Sequence, residues 1–487
     1  MRKTFLLILL TTCITIKIQA FSNIFSSQNE GYKITGTIKG LKEPTVMLAY
    51  YFGGKQYAKD TADVINGKFT FKGEEKLKGG MYLVVLSESK YLDIIISEQN
   101  FSFSTEIDNL HGAISFKNSK ENPPFYEYLN FISKMQLKVT PLRKELETAS
   151  GNKKKELEQK TREIDANVKS YQADFIAKHS NKFFTKLIKA NTEIEIPKAP
   201  LDSTGKPDKN FPFYFYKKHF WDNIDFSDAR MLRTRVFYNK IDQYFEKLTV
   251  KHPDSIIISA DILVEKSREN SEIFQYVVNY ITSTYERSKI MGMDAVFVHM
   301  VEKYYITNQC NWVDSLQLIK IADRAQKIAP NLIGRKASEF LDIYGRPFMK
   351  DTLGITHTLQ EIKAEYTILV FFGPTCGHCK KEMPKIKHNV DSLVNSGYDI
   401  KTFAVATEFD KKEWKKFINE QKTGDWINVA DINHDDEGNP VASSDWRDKY
   451  DIYSTPVVYL LDKEKKIIAK RITHSQIVDI IDRRRKK

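Results

Sequence analysis

The sequence predicts a multidomain chain with an N-terminal antiparallel β domain, a central all-α domain and a C-terminal α/β domain. Three observations carry that prediction. Between about residues 30 and 120, short β-rich runs are separated by turn signals such as Gly53-Gly54, Asn66-Gly67 and Gly79-Gly80. From Pro123 to about residue 325, apolar residues recur at helical spacing. After that, apolar strand-like runs alternate with helical stretches. A chain of 487 residues also suits roughly three domains at about 150 residues each.

The first twenty residues carry Arg2, Lys3 and Lys17 and no acid, followed by an apolar run from Phe5 to Ile16 and a small residue, Ala20. That is the pattern of an export signal over residues 1–20. The run is too short to span a bilayer comfortably. "LTTC" at Cys13 loosely resembles a lipoprotein box, and only lipidation there would tie the chain to a membrane. Thr12 suits such a box poorly, so an export signal is the preferred reading.

In the β region (30–120), "YKITGTI", "TVMLAYYF", "KFTFKG", "MYLVVL", "YLDIIIS", "FSFSTEI" and "AISFKN" read as strands. Asn66-Gly67 between two such runs is a hairpin signal. The spacing suggests a small sandwich or open barrel. In the helical region (121–325), residues 153–179, 271–287 and 294–305 read as helices. A polar, proline-containing stretch at 194–213 reads as a long loop. The dense aromatics of "FPFYFYKKHFW" (211–221) read as core packing, with a peptide-binding groove as the sharper alternative.

In the last region (326–487), "APNLIGRKASEFLDIYGRP" reads as a linker and an edge hairpin. "YTILVFFG" (366–373) has the continuous apolar character of a buried central strand. A helix to Gly397, a strand at 399–407, a helix at 411–421, strands at 455–462 and 465–472, and a helix from near Ser475 follow.

The formal charge is +12, and loss of the signal lowers it by three. The excess is spread over mixed Lys/Glu helices, which reads as solvated surface and not as a nucleic-acid footprint. The basic tail at 483–487 reads as a frayed helix end. A mature chain would keep Cys310, Cys376 and Cys379, too few for a disulfide scaffold. Cys310 follows an apolar stretch and reads as a buried single thiol. One close pair in an exported protein points instead to redox chemistry in an oxidising compartment.

The pair sits in "FFGPTCGHCKKEMP" (371–384), where Pro374 stops the strand and a helix should begin near Cys376. A thiolate there meets unpaired backbone N–H groups and the positive end of the helix dipole, which lower the thiol pKa. Cys376 is therefore the expected nucleophile. Cys379, one turn on, is the expected resolver that closes the Cys376–Cys379 disulfide. His378 would add positive charge beside the thiolate, and couples of this kind lie between about −180 and −270 mV. Zinc wants four ligands, and only His378 and His388 lie near. No metal or other cofactor is expected. A static disulfide across so small a loop would constrain little of the unfolded chain.

The strand, the CxxC helix start and the later "YDIYSTPVVYLLDKEKKIIA" resemble the thioredoxin superfamily, more narrowly exported bacterial proteins of the TlpA type. The resemblance covers about residues 326–487. The upstream regions more weakly resemble the N-terminal domains fused to such modules. The resemblance implies a thioredoxin-like fold. It makes Pro456 the cis proline that packs against the cysteine pair, and Thr455 the residue whose backbone holds substrate peptide as an added strand. It makes Glu382, three residues after Cys379, the acid that shuttles the Cys379 proton, with an exposed glutamate paired to a lysine as the alternative reading. Pro384 matches a proline that kinks the active-site helix. Two positions depart from the pattern. Val370 stands where ordinary thioredoxins bury an acid, and Thr375 replaces an aromatic before the first cysteine. A peroxiredoxin would want Pro and Thr where this chain has Leu369 and Gly373.

The expectation is an exported thiol-disulfide oxidoreductase of the periplasm or cell envelope. Its partners would be protein thiols and disulfides, together with an electron donor or acceptor. Direction of electron flow and homodimerisation through the helical region are left open. The competing reading is an envelope binding or scaffold protein with an inert redox module.

Overall fold

The computed structural model describes residues 31–408, 410–433 and 441–485. The expected export signal, Cys13 and the last two residues of the basic tail lie outside them. Among the described residues, eight strands come first: β1 (Tyr32–Lys39), β2 (Thr45–Phe52), β3 (Lys55–Asp63), β4 (Lys68–Gly73), β5 (Gly80–Ser87), β6 (Lys90–Ile96), β7 (Asn100–Glu106) and β8 (Ser115–Lys117). They form two four-stranded sheets, ordered β4-β1-β7-β8 and β3-β2-β5-β6, and not one closed barrel. Pairing is antiparallel except between β1 and β7, which run parallel. Asn66 and Gly67 make the tight turn their dipeptide promises, both with positive φ, closed by an Ile65–Lys68 bridge. The strands on either side of that turn belong to different sheets. β3 has no run in the sequence reading, because its side chains are polar and mostly exposed.

Nine helices follow: α1 (Asn122–Leu146), α2 (Gly151–Lys178), α3 (Phe183–Asn191), α4 (Phe211–His219), α5 (Arg235–Lys247), α6 (Pro253–Ser267), α7 (Ser271–Glu286), α8 (Asp294–Met300) and α9 (Ser315–Ile328). A π-helical turn, Val301–Tyr305, continues α8. Glu121 is buried and both its oxygens accept the Phe183 N–H at 3.0 Å, capping α3. The aromatic helix α4 buries none of its residues, and Tyr214 is 66% exposed. The core packing read from "FPFYFYKKHFW" is supplied by Phe220 and Trp221, just beyond α4. Residues up to Leu248, with Ser267–Ile273, form one compact unit, and Thr249–Lys266 with Phe274 onward form a second. The helical region therefore divides between the two.

The second unit contains strands β9 (Tyr366–Phe372), β10 (Ile400–Ala406), β11 (Ile427–Ala430), β12 (Val457–Leu461) and β13 (Ile467–Lys470). Its sheet has the order β11-β10-β9-β12-β13. β9 runs parallel to β10 and antiparallel to β12. All seven residues of β9 are buried, because the strand is covered on both faces. Ile368, Val370 and Phe372 face a core that includes α10 (Gly377–Asn395), α11 (Lys411–Glu420) and α13 (His474–Arg485). Leu369 and Phe371 face the other core, with Phe340, Met349 and Leu359 and with Trp446 of the short helix α12 (Trp446–Lys449). Each such side chain contributes roughly 1.5–3 kcal/mol by leaving water.

β11 is absent from the sequence reading. It is four residues long, and its outer neighbour is a single residue, Lys350, which exchanges two hydrogen bonds with Ala430 at 3.1 and 2.9 Å. The expected edge hairpin at 329–347 is instead a tight turn, in which Asp342 accepts the Tyr344 and Arg346 N–H groups and Leu341 bridges Pro347. "LDSTGKP" (201–207) repeats the pattern of "LDIYGRP" (341–347), and Asp202 makes the corresponding bonds to Thr204 and Lys206.

Candidate functional site

β9 ends at Phe372, and Gly373-Pro374-Thr375 turns the chain into α10. Cys376 is the N-cap of α10, with φ −67° and ψ 117°. Its Sγ accepts the Cys379 N–H at 3.4 Å. It takes the role that a Ser or Asp oxygen usually fills at such a position. Burial opposes ionisation of Cys376. Hydrogen bonding from the Cys379 amide first, then from Thr455 and the Cys379 thiol, and last from the His378 amide, outweighs it, and the thiol pKa falls below its ordinary value. Cys379 is fully buried, and burial pushes its thiol up to about 12. Its sulfur accepts the Gly373 N–H at 3.4 Å. Both cysteines are free thiols in this structure. The pair is therefore asymmetric, with one half-buried sulfur inclined to ionise and one buried sulfur that keeps its proton.

Opposite the pair runs the segment Asp451–Pro456. The Thr455–Pro456 peptide bond is cis. The Cys376 thiol lies 3.6 Å from the Thr455 carbonyl oxygen, which accepts from it. Two residues before Thr455, Tyr453 is 65% exposed. His378 is exposed on the first turn of α10. The structure thus brings Cys376, Cys379, Thr455 and Pro456 together.

Glu382 has other partners. Its Oε1 accepts from Lys385 Nζ at 2.8 Å, and its Oε2 pairs with His474 Nδ1 at 3.0 Å. Lys385 first and His474 second hold its carboxyl below the usual carboxylate range. It ties α10 to the start of α13 and, as a weakened base, is poorly suited to take a proton from Cys379.

A different carboxylate stands on the cysteine loop. Ala406 at the end of β10 lies in register with Phe372 at the end of β9, and Thr407 N–H donates to Phe372 O at 2.8 Å. The next residue, Glu408, is thereby delivered beside the turn, where its Oε2 accepts the Thr375 N–H at 3.0 Å. Its Oε1 lies so close to Gly373 that a Cβ there would come within 2.4 Å of it. The sequence reading misses Glu408. The available signal was its place just past a central parallel strand, at the carboxyl edge where such sheets build their sites.

Cys310 is buried, and burial pushes its thiol up to about 12. Among the described residues no group of three or more His, Cys, Asp or Glu is placed to hold a metal ion. No helix among them is long and apolar enough to cross a membrane.

Comparison with known proteins places these features. Residues 333–470 match the AhpC/TSA family. Residues 32–141 and 149–331 match two families described only as domains of unknown function, DUF4369 and DUF5106. Among solved structures, the chain is similar to a domain of a possible thiol-disulfide isomerase from Cytophaga hutchinsonii. The identity is 38% over 32% of this chain and 94% of that one, with a TM-score of 0.26. A thioredoxin-like protein from Bacteroides caccae matches at 17% identity over 60% of this chain and 99% of that one, with a TM-score of 0.42. The thioredoxin domain of a thiol-disulfide oxidoreductase from Bacteroides vulgatus matches at 23% over 31% and 96%, with a TM-score of 0.24. No curated protein matches. The AhpC/TSA match falls on the segment whose sheet order and cysteine geometry are described above, and the C-terminal domain of this chain belongs to the thioredoxin superfamily.

Proposed function

We propose that the chain is an exported thiol-disulfide oxidoreductase that exchanges disulfides with protein substrates through Cys376 and Cys379. The observation that carries this reading is the asymmetry of the two sulfurs. The Cys376 thiolate attacks one sulfur of a substrate disulfide. That S–S bond breaks, its electron pair leaves on the second substrate sulfur, and a mixed disulfide forms on Cys376. Cys379 then loses its proton and attacks Cys376 Sγ. The Cys376–Cys379 disulfide forms and the first substrate sulfur leaves as a thiolate. Two electrons have passed from the pair to the substrate, and a dithiol donor restores the pair by the same exchange. In reverse, the oxidised pair delivers its disulfide to a substrate dithiol.

Thr455 and Pro456 form the substrate-binding edge in this reading, with the Thr455 backbone open to an extended peptide. Glu408 serves as acceptor for the Cys379 proton, relayed by solvent, in preference to Glu382. Mutual support comes from Gly373, which touches Glu408 on one side and donates to the Cys379 sulfur on the other. His378 contributes charge at the helix start.

Trapping tests the proposal. Cys379→Ala is expected to accumulate mixed disulfides with protein partners, releasable by dithiothreitol, and Cys379→Ala/Cys376→Ser to accumulate none. A wild-type protein that fails to equilibrate with a glutathione buffer would support the inert-module reading instead.

A further inference from the structure

The segment that presents Thr455 begins at Asp451, and Asp451 is held from two directions. Its carboxylate is buried, 8% exposed, and its backbone is left-handed with φ +54°. A non-glycine residue keeps that conformation only where its surroundings hold it. Arg471, just past β13, donates from Nη2 to Asp451 Oδ2 at 2.7 Å and to the Asp451 carbonyl at 2.6 Å. The second hold comes from outside the sheet and its helices. Arg324, on α9, donates from Nη1 to Asp451 Oδ1 at 2.5 Å.

Asn331, just after α9, reinforces that hold. It is 2% exposed, and its Nδ2 donates both to Lys327 O at 3.1 Å and to Lys449 O, two residues before Asp451, at 2.5 Å. Lys327 also lies 3.8 Å from Asp448. The end of the helical region therefore holds the segment at its start, through Asp451 and the residues just before it, four residues ahead of the carbonyl that faces Cys376.

We propose that Arg324 is a positioning residue for substrate capture, setting where Thr455 offers its backbone to an extended, disulfide-bearing peptide. The helical region then belongs functionally to the redox module, although it contributes no sulfur to it. The inference rests on the exchange chemistry proposed above. It distinguishes two kinds of substrate. A protein disulfide must pair with the Thr455 backbone to be held. Glutathione disulfide, a small substrate, reaches Cys376 with far less dependence on that edge. Removing Arg324 leaves Asp451 with Arg471, so the segment stays closed but loses its outer restraint.

The test compares full-length wild type, Arg324→Ala and Arg324→Lys, with insulin and glutathione disulfide as substrates. For Arg324→Ala, the KM for insulin is expected to rise about five- to tenfold with kcat within about twofold, because Asp451 loses the hydrogen bond of the partly exposed Arg324 and keeps that of Arg471. The rate with glutathione disulfide and the redox midpoint should stay at wild-type values. Arg324→Lys keeps the charge and should recover most of the loss. It also serves as the working variant if the alanine protein does not fold, with a KM rise of about twofold expected. An unchanged KM for insulin in the variant examined overturns the proposal. So does an equal loss on both substrates or a shifted midpoint, which would mark a general structural role. A wild type inert towards both substrates overturns the exchange reading itself, and this inference with it.

Discussion

Cys310, in the loop between the π-helical turn and α9, and Cys379, in the first turn of α10, are both buried thiols. Burial acts alone on Cys310, and its thiol is pushed up to about 12. At Cys379 burial also dominates, against hydrogen bonds from Thr455 and the Gly373 amide, and the thiol again reaches about 12. Cys376 differs because the Cys379 N–H at the helix start, and Thr455 across from it, hydrogen-bond its sulfur, and its pKa moves the other way. The contrast separates a thiol that is merely present from one that can react. What decides is the set of hydrogen bonds around the sulfur.

The strongest way to break the comparison is to remove each thiol in turn. Cys376→Ser is expected to lower insulin-disulfide reduction by about 10³-fold or more, as loss of a nucleophile does. Cys310→Ala should leave the rate within about twofold. Equal losses would mean the helix start confers nothing special.

Glu408→Gln sharpens the resolving half of the pair. If the carboxylate accepts the Cys379 proton, release of the mixed disulfide should slow by about tenfold or more. Glu382→Gln should slow it by less than about twofold. A larger effect at Glu382 would return the acid role to the position the motif first suggested.

The buried resolver also predicts a stability difference. Because the Cys379 pKa is raised in the folded protein, its contribution is fully present below the unfolded value near 9. It is lost as pH rises towards about 12. Reduced wild type should therefore lose roughly 1 kcal/mol per pH unit above about pH 9 relative to Cys379→Ala, read from urea unfolding. Parallel curves for the two proteins would contradict this.

The smallest effect is expected at His378. It is exposed, so its field is screened by solvent and salt. His378→Gln should move the redox midpoint by about 30 mV or less towards the reducing side, as measured against glutathione buffers.

What could be read from the sequence follows the range of the interactions involved. β9 was legible because a run of Ile, Leu, Val and Phe after Tyr366-Thr367 describes a strand buried on both faces. The position of Cys376 at a helix start, one turn before Cys379, was legible because a strand, a proline and a helix start lie within ten residues of one another. Glu408 was not, because nothing local marks it. It reaches the site only through the parallel register of β9 and β10. Arg324 lies 127 positions from Asp451 and looks like any helix-surface cation until the fold closes. β11 escaped notice because four residues with a single outer partner carry too little pattern. Glu382 shows the opposite limit. Spacing placed it on the helix turn after Cys379, but His474, 92 positions away, takes one of its oxygens.

The central claim is that the helix start makes Cys376 the reactive thiolate while burial silences its neighbours. The direct measurement is the pH dependence of iodoacetamide alkylation of the reduced full-length protein, with each cysteine followed by peptide mass mapping. Cys376 is expected to react with a midpoint below the value of about 8.5 for a free cysteine. Cys310 and Cys379 should remain unmodified below about pH 9 in the folded protein. A Cys376 midpoint at or above that of free cysteine, or equal labelling of Cys310, would contradict the account.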